Sequence, residues 1–259
     1  MALDPIEKKP FARFHPGSTV LSVGSYGCNL KCPFCQNSDI AAASADDVSF
    51  RTVPPEQLAD TALALLPRGN IGVAYTYNDP VIFAEYVIDT ALACREQGIR
   101  NVAVTAGYIG AGARREFFAG MDAANVDLKA FTEDFYYKLT GAHLQPVLDT
   151  LTFLKHETDC WFELTTLLIP GRNDSPAEIE AMSKWIVREL GRDVLHRAVA
   201  LAQLDAGERR GTGDGDGSRA RGIPLALEGG HESRGALGDG GVRVRHLLLT
   251  ALGEPARPL

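Results

Sequence analysis

Short apolar runs alternate with segments of helical periodicity between about residues 19 and 190. The runs are nearly continuous in apolar residues, which is the pattern of strands buried on both faces of a parallel sheet. They predict strands at 19–23, 71–77, 102–105, 124–128 and 161–169. Helical spacing predicts helices at 55–66, 81–97, 114–119, 133–139, 146–155 and 176–190. This order indicates an α/β fold with right-handed crossovers between parallel strands.

Clusters of polar residues directly follow the predicted strands. They are the cysteines of segment 28–35 and the segments 78–80, 105–107, 127–129 and 173–175. Ligands bind at the carboxyl ends of the strands in parallel sheets. The clusters therefore predict one shared functional face.

Size and composition narrow the class of protein. The chain has 259 residues, enough for one large α/β barrel or two ordinary domains. Its 45% hydrophobic and 23% charged residues are typical of a soluble globular protein. No stretch approaches the roughly 18 apolar residues of a membrane span, and the first ten residues lack an apolar signal-peptide core, so we expect a cytoplasmic protein. A net charge of -7 argues against binding nucleic acid through phosphate neutralisation.

The composition changes after Asp193. All Phe, Trp and Tyr residues precede Val194, whereas segment 194–259 contains 13 of the 26 glycines. Two explanations stay open: a low-complexity, disordered Gly/Arg-rich tail, or out-of-frame translation of a GC-rich gene, because the missing residue types have mostly AT-rich codons. We accordingly divide the chain into a core domain, 1–193, and an atypical tail, 194–259.

Three of the five cysteines, Cys28, Cys32 and Cys35, lie within eight residues after the first predicted strand. An odd total and this crowding argue against a secreted disulfide framework and favour metal ligation. A structural zinc needs a fourth protein ligand, which the local sequence does not offer. A cubane cluster held by three thiolates instead leaves one iron open to substrate or cofactor.

The cysteine spacing, with Phe34 before the last cysteine, resembles the cluster motif of the radical S-adenosylmethionine (radical SAM) superfamily. The surrounding sequence resembles the activating enzymes of the pyruvate formate-lyase type and the radical SAM enzyme of the AmmeMemoRadiSam system. The matching segments are 4–10, 32–37, 75–80, 126–130 and 165–171. The resemblance extends from about Leu3 to Asp193 and does not include the tail.

The resemblance implies a 4Fe-4S cluster whose open iron binds the amino and carboxylate groups of SAM. It also implies reductive cleavage of SAM to a 5′-deoxyadenosyl radical, which abstracts hydrogen from a protein glycine or a small molecule. An electron donor such as flavodoxin or ferredoxin would be a partner. The cluster ligands would be Cys28, Cys32 and Cys35.

The same resemblance suggests residues that bind SAM. Asn78, Asp79 and Pro80 occupy the position of a motif that receives the SAM amino group, although Asp replaces the usual Glu; the alternative is a helix cap. Further candidates are Phe34, Thr105, Gly107, Asp127 and Lys129. Asp127 and Lys129 share one strand face, and Lys129 suits the SAM carboxylate; the alternative is a salt bridge at a strand end.

Other polar and sulfur-containing residues are ambiguous or have structural explanations. Glu163 and Thr165 alternate on the fifth predicted strand, where a packed polar pair and a ligand contact are equally compatible with the sequence. Cys94 and Cys160 are expected to be buried free thiols. His15, His143 and His156 are expected at the surface or in packing.

The family fold is a partial (β/α)6 barrel that resembles a TIM barrel, and its last strand, which often contains a histidine near SAM, should begin at about Val194. The sequence identifies only five units, so we expect the last unit to be missing or altered and activity to be impaired. Two further classes of function stay open: a zinc-binding structural or interaction module, and a degenerate, inactive radical SAM homologue.

Overall fold

The computed structural model describes residues 1–200, in which one sheet follows the order of the chain from its first strand to its seventh. The strands are β1 (Ala2–Pro5), β2 (Thr19–Val23), β3 (Asn70–Tyr75), β4 (Arg100–Thr105), β5 (Ala123–Asp127), β6 (Trp161–Leu168) and β7 (His196–Ala200). β1 pairs with β2 in antiparallel orientation, and all later pairs are parallel. In the described part of the chain β1 and β7 are the two edges, so the sheet is an open barrel.

Helices connect the parallel strands. They are α1 (Ser38–Ala41), α2 (Pro55–Ala64), α3 (Ala84–Glu96), α4 (Ala111–Ala119), α5 (Glu133–Phe135), α6 (Leu144–Glu157) and α7 (Pro176–Trp185). Turns of π geometry at Tyr136–Thr140 and Ile186–Leu190 extend α5 and α7. Among residues 1–200, none of the helices combines the length and the apolar character needed to cross a membrane.

Local signals in the sequence explain several helix ends. The hydroxyl of Ser175 accepts a hydrogen bond from the N–H of Glu178, and Pro176 occupies the first turn of α7. Gly98 follows α3 with φ of 71°, the left-handed conformation that glycine adopts without strain. The α/β fold predicted from the sequence is confirmed.

Two strands were not found by the sequence analysis. β1 is an antiparallel edge strand ahead of the predicted alternation. β7 is the sixth parallel strand and begins at His196, beyond the last unit that the sequence identified; its residues His196 and Ala200 pair with Leu164 and Leu168. The barrel strand that we expected to be missing or altered is therefore present to residue 200. The division at residue 193 stays a prediction, and 201–259 lie outside the described residues.

Side chains on the two faces of the sheet belong to two separate hydrophobic clusters. Leu21 and Val73 belong to the larger cluster, which includes apolar residues of the helices. Their neighbours Val20 and Ala74 point to the opposite face, because side chains alternate along a strand. That inner face is covered by a segment that we call the N-terminal arm, residues 6–18, whose buried apolar side chains are Ile6, Phe11 and Phe14.

Glu163 on β6 holds the N-terminal arm in place. Its side chain accepts hydrogen bonds from the main-chain N–H groups of Ala12, Arg13 and Phe14 at 2.8, 2.9 and 3.2 Å. A fourth donor is the indole Nε1 of Trp161, at 3.2 Å. Glu163 is fully buried. The structure therefore places Glu163 in a packed polar cluster within the protein, but its partners are the N-terminal arm and Trp161 and not Thr165, whose buried hydroxyl has no hydrogen-bond partner among the described residues.

Candidate functional site

The cysteine loop lies at the carboxyl end of β2 and contains three half-buried free thiols, Cys28, Cys32 and Cys35. The N–H of Cys35 donates to the carbonyl oxygen of Cys32 at 3.2 Å, which folds the second half of the motif into a turn. Burial raises the pKa of Cys32 to about 11; positively charged Lys129 opposes this change, and the other two thiols add to it. The three sulfur atoms are thus close enough to interact electrostatically.

Three thiols on one short loop fit the three-cysteine donor set that holds a 4Fe-4S cluster. Within residues 1–200 no three His, Cys, Asp or Glu side chains are arranged to hold one metal ion. A cubane cluster does not require such convergence, because each of its three thiolates binds a different iron. The loop supplies three thiols, and the positive charge of Lys129 favours the thiolate form of Cys32 against the effect of burial.

Asn78 fastens the cysteine loop to the end of β3. Its Oδ1 accepts from the N–H of Ser25 at 3.1 Å, and its Nδ2 donates to the carbonyl oxygen of Gly27 at 2.8 Å. Nearby, Asn37 Nδ2 donates to the carbonyl oxygen of Tyr77 at 2.6 Å. Asn78 is buried with both ends of its amide bonded within the protein, so its observed task is to shape the loop; its contact with SAM stays a prediction.

Asp79 connects the ends of β3 and β4. Its carboxylate accepts from the N–H of Val81 at 3.1 Å, the hydroxyl of Thr105 at 2.9 Å and the N–H of Ala106 at 2.8 Å. Burial raises the pKa of Asp79, and these donors and Lys129 oppose the change. Asp79 is the cap ahead of the buried Pro80, as the structural alternative proposed. A role in binding the SAM amino group stays a prediction.

Thr105 and Gly107 form the turn after β4. The N–H of Gly107 donates to the hydroxyl of Thr105 at 3.0 Å, and the carbonyl oxygen of Gly107 accepts from Thr150 at 2.7 Å. Gly107 has φ of +67°, and a Cβ there would lie 3.0 Å from Cγ1 of Val126. Glycine is therefore required by the turn itself. The predicted contacts of Thr105 and Gly107 with SAM are not tested by this geometry.

Asp127 and Lys129 form an ion pair at the end of β5. Nζ of Lys129 lies 3.1 Å from Oδ2 of Asp127. Burial lowers the pKa of Lys129, but the charge and hydrogen bond of the Asp127 carboxylate, with a contribution from Cys32, outweigh it, and the net effect is a pKa above the ordinary value. The lysine therefore keeps its charge although its side chain is only 17% exposed. The observed contact is the salt bridge at a strand end that the sequence left open as the alternative, and its ammonium lies near Cys32. Contacts of Asp127 and Lys129 with SAM stay predictions.

Aromatic rings line the other side of the cysteine loop. The ring centroids of Phe34 and Phe135 lie 5.9 Å apart, and Phe135 contacts Tyr136 in turn at 6.5 Å. The N–H of Lys31 donates to the carbonyl oxygen of Thr140 at 2.8 Å. The π turn after α5 thus bridges the cysteine loop and the residues after β5.

The sequence analysis overlooked His196 because it lies past the end of the resemblance. Its Nε2 lies 2.9 Å from the hydroxyl of Thr166, and that hydroxyl donates its one hydrogen to the carbonyl oxygen of Leu128 at 2.6 Å. The hydroxyl must therefore accept from His196, which places the proton on Nε2. Burial lowers the pKa of His196 to about 4. A neutral histidine of the last described strand thus lies near the end of β5.

A comparison with protein families decides the classification of this site. The model of the radical SAM superfamily matches residues 22–186, which include the cysteine loop, the Asp127–Lys129 pair and most of the sheet. The chain belongs to the radical SAM superfamily. Proteins of this superfamily use a 4Fe-4S cluster and SAM as cofactors.

The chain is similar in sequence to an uncharacterized protein and to a pyruvate formate-lyase-activating enzyme. An uncharacterized protein of Methanocaldococcus jannaschii is 37% identical over 196 residues, which are 74% of this chain and 56% of that protein. The pyruvate formate-lyase-activating enzyme of Clostridium pasteurianum is 27% identical over 164 residues, 62% of this chain and 66% of that enzyme. The chain therefore spans less than two thirds of the length of either relative.

Solved structures support the fold. A radical SAM methyltransferase from Sphaerobacter thermophilus superposes with a TM-score of 0.57 at 17% identity, over 94% of this chain and 67% of that one. SuiB of Streptococcus suis, in a structure with bound S-adenosylmethionine, superposes with a TM-score of 0.53 at 12% identity, over 73% of this chain and 43% of that one. At these identities the likeness extends to the fold alone.

Proposed function

We propose that this radical SAM protein is an enzyme that cleaves SAM reductively to start abstraction of a hydrogen atom from a substrate. The observation that supports it is the meeting of two groups from distant parts of the sequence. The cysteine loop after β2 and the Asp127–Lys129 pair after β5 lie close enough for Lys129 and Cys32 to influence each other's pKa. A thiol triad for a cluster and a cation for the SAM carboxylate thus share one end of the barrel.

Each candidate residue has a defined task in this proposal. Cys28, Cys32 and Cys35 hold the cluster, which when bound supplies the electron for SAM cleavage. Lys129 binds the SAM carboxylate, while Asp127 keeps its ammonium oriented. The remaining predicted SAM contacts line the ends of β3 and β4 and the cysteine loop: Phe34, Asn78, Asp79, Pro80, Thr105 and Gly107.

The substrate class follows from the relatives, as part of the same proposal. Similarity to a pyruvate formate-lyase-activating enzyme favours a glycine of a partner protein as the hydrogen donor, at 27% identity. A small molecule is the second candidate. A cytoplasmic location and an electron donor such as flavodoxin or ferredoxin complete this proposal.

The test is anaerobic reconstitution of the full chain with iron and sulfide, followed by incubation with SAM and dithionite. We expect about four irons per chain and formation of 5′-deoxyadenosine, detected by mass spectrometry. Cys32→Ala should abolish both. Cys160→Ala is the matched control. Cys160 is a buried thiol directly before the first residue of β6, whereas the cysteine loop follows the last residue of β2.

Two results would contradict the proposal. Protein that retains zinc and no iron would favour the structural or interaction module. Formation of a cluster without cleavage of SAM, whether dithionite, flavodoxin or ferredoxin supplies the electrons, would favour a degenerate homologue that is inactive because its C-terminal segment is altered.

A further inference from the structure

Lys129 has both of its main-chain polar groups bonded to buried side chains. Its N–H donates to the phenolic oxygen of Tyr136 at 3.1 Å, and its carbonyl oxygen accepts from Nδ2 of Asn173 at 2.6 Å. Tyr136 and Asn173 are both fully buried. Bonds on both sides of one residue fix its main chain, and hence the direction in which its side chain leaves the backbone.

The neighbours of Lys129 are fixed in the same way. The carbonyl oxygen of Leu128 accepts from the hydroxyl of Thr166 at 2.6 Å. The N–H of Phe131 donates to the carboxylate of Glu178 at 2.7 Å. Side chains from β6 and α7 thus replace the strand partners that this segment loses where β5 ends, and the main chain after β5 is preorganised.

Asn173 joins this segment to the end of β6. Besides the carbonyl oxygen of Lys129, its Nδ2 reaches that of Leu167 at 2.9 Å, and its Oδ1 accepts from the N–H of Ile169 at 2.7 Å. Each end of one buried amide is therefore bonded, so replacing Asn173 by alanine removes its bonds to the carbonyl oxygens of Lys129 and Leu167 and to the N–H of Ile169 without adding a charge. Asn173 belongs to the polar cluster 173–175 that the sequence placed at a strand end, but its bond to Lys129, 44 residues away, is a feature of the folded structure.

We infer that Tyr136 and Asn173 are positioning residues that aim the ammonium of Lys129 at the SAM carboxylate. The inference rests on the proposed function of Lys129. Asp127 orients the ammonium at the tip of the Lys129 side chain, whereas Tyr136 and Asn173 fix the backbone from which that side chain extends. Removing either bond lets Lys129 move while its charge and the thiols remain.

The test compares two ligands by equilibrium dialysis on reconstituted protein. SAM has the methionine carboxylate, whereas 5′-methylthioadenosine lacks it and retains the nucleoside. For Tyr136→Phe we expect a Kd for SAM about tenfold higher, the size typical of losing an orienting partner, and an unchanged Kd for 5′-methylthioadenosine. Lys129→Met should give the same selective loss. The double variant Tyr136→Phe/Lys129→Met should bind SAM no more weakly than Lys129→Met does, because the two residues act through one contact.

Matched variants separate positioning from folding. Tyr137→Phe removes the hydroxyl of the adjacent tyrosine, which is 65% exposed, and should bind both ligands normally. If Tyr136→Phe does not fold, Asn173→Ala provides the same comparison through the other bond. Iron and sulfide contents of all variants should equal those of the wild type.

Three outcomes would overturn the inference. They are equal weakening of both ligands, additive losses in the double variant, and a Tyr136→Phe protein that behaves as Tyr137→Phe does. Failure of the proposed function looks different, because wild-type protein would then bind no SAM, or Lys129→Met would bind it normally.

Discussion

The side-chain amide of Asn78 donates a 2.8 Å hydrogen bond to the carbonyl oxygen of Gly27, the residue before the first cysteine of the loop. The same side chain accepts from Ser25. One buried residue therefore spans the start of the cysteine loop from the neighbouring strand. The loop is held at this point by side-chain bonds, since it has left the sheet.

Asn78→Ala should disturb the cysteine loop more than it disturbs the rest of the fold. We expect a loss of about 1 to 2 kcal/mol in the free energy of unfolding, because two partly buried main-chain groups lose their partners, and less iron per chain after reconstitution. Urea unfolding and iron analysis measure the two effects. Gln145→Ala, which removes an exposed bond to Asp149 away from the cysteine loop, is the comparison. Equal iron contents in both variants would argue against this role of Asn78.

Glu163→Gln should release the N-terminal arm. Three main-chain N–H groups and the indole of Trp161 now face one carboxylate. A glutamine amide presents hydrogens to some of these donors, so we expect a cost of about 2 to 3 kcal/mol and faster tryptic cleavage after Arg13. Glu157→Gln, at an exposed pair with Arg115, is the control. A wild-type rate of cleavage in Glu163→Gln would mean that other contacts hold the arm.

The parallel strands β2 to β6 were predictable because each is a short apolar run buried on both faces. β1 and β7 were not. β1 has four residues, and its place at the sheet edge is determined by pairing with β2. β7 begins with His196 and Arg197, polar residues that conceal a strand when read without the neighbouring Leu164 and Thr165.

In the candidate site, too, the features that depend on local sequence were predictable, and those that depend on distant contacts were not. Spacing alone identified the three cysteines, and a period of two placed Asp127 and Lys129 together, because these are local properties of the chain. The main-chain partners of Glu163 in the N-terminal arm are about 150 residues away in sequence, and no local pattern predicts such a contact. Asp79 shows a third case, in which the local interpretation as a helix cap and the functional one concern the same carboxylate.

Asp4 should contribute to stability through a buried charge network. Burial acts to raise its pKa, but hydrogen bonds from Lys9, Ser22 and Lys8 outweigh burial and hold the pKa well below its ordinary value. The side chains of Asp4 and Lys9 are 9% and 4% exposed, whereas that of Lys8 is 56% exposed. We expect Lys9→Met to cost about 3 kcal/mol, because it leaves a buried carboxylate without its main partner.

Lys8→Met is the matched control and should cost less than about 1 kcal/mol, as exposed pairs do. The contribution of Asp4 should be fully present above its ordinary pKa near 3.8 and decline as the pH falls below that value, because protonation then favours the unfolded chain. Urea unfolding of both variants at neutral pH measures the difference. Equal losses would show that burial does not distinguish the two lysines.

His196 predicts a second pH dependence in a higher range. Its folded pKa of about 4 lies below the ordinary value of 6.5, so the unfolded chain binds a proton more readily between these values. The free energy of unfolding should therefore fall as the pH is lowered from 6.5 to 4, by about 1 to 2 kcal/mol after allowance for the partial exposure of the residue. His196→Gln can retain a donor to Thr166 and does not titrate, so its stability should fall less over this range. Identical slopes in the wild type and in His196→Gln would exclude His196 as the titrating group.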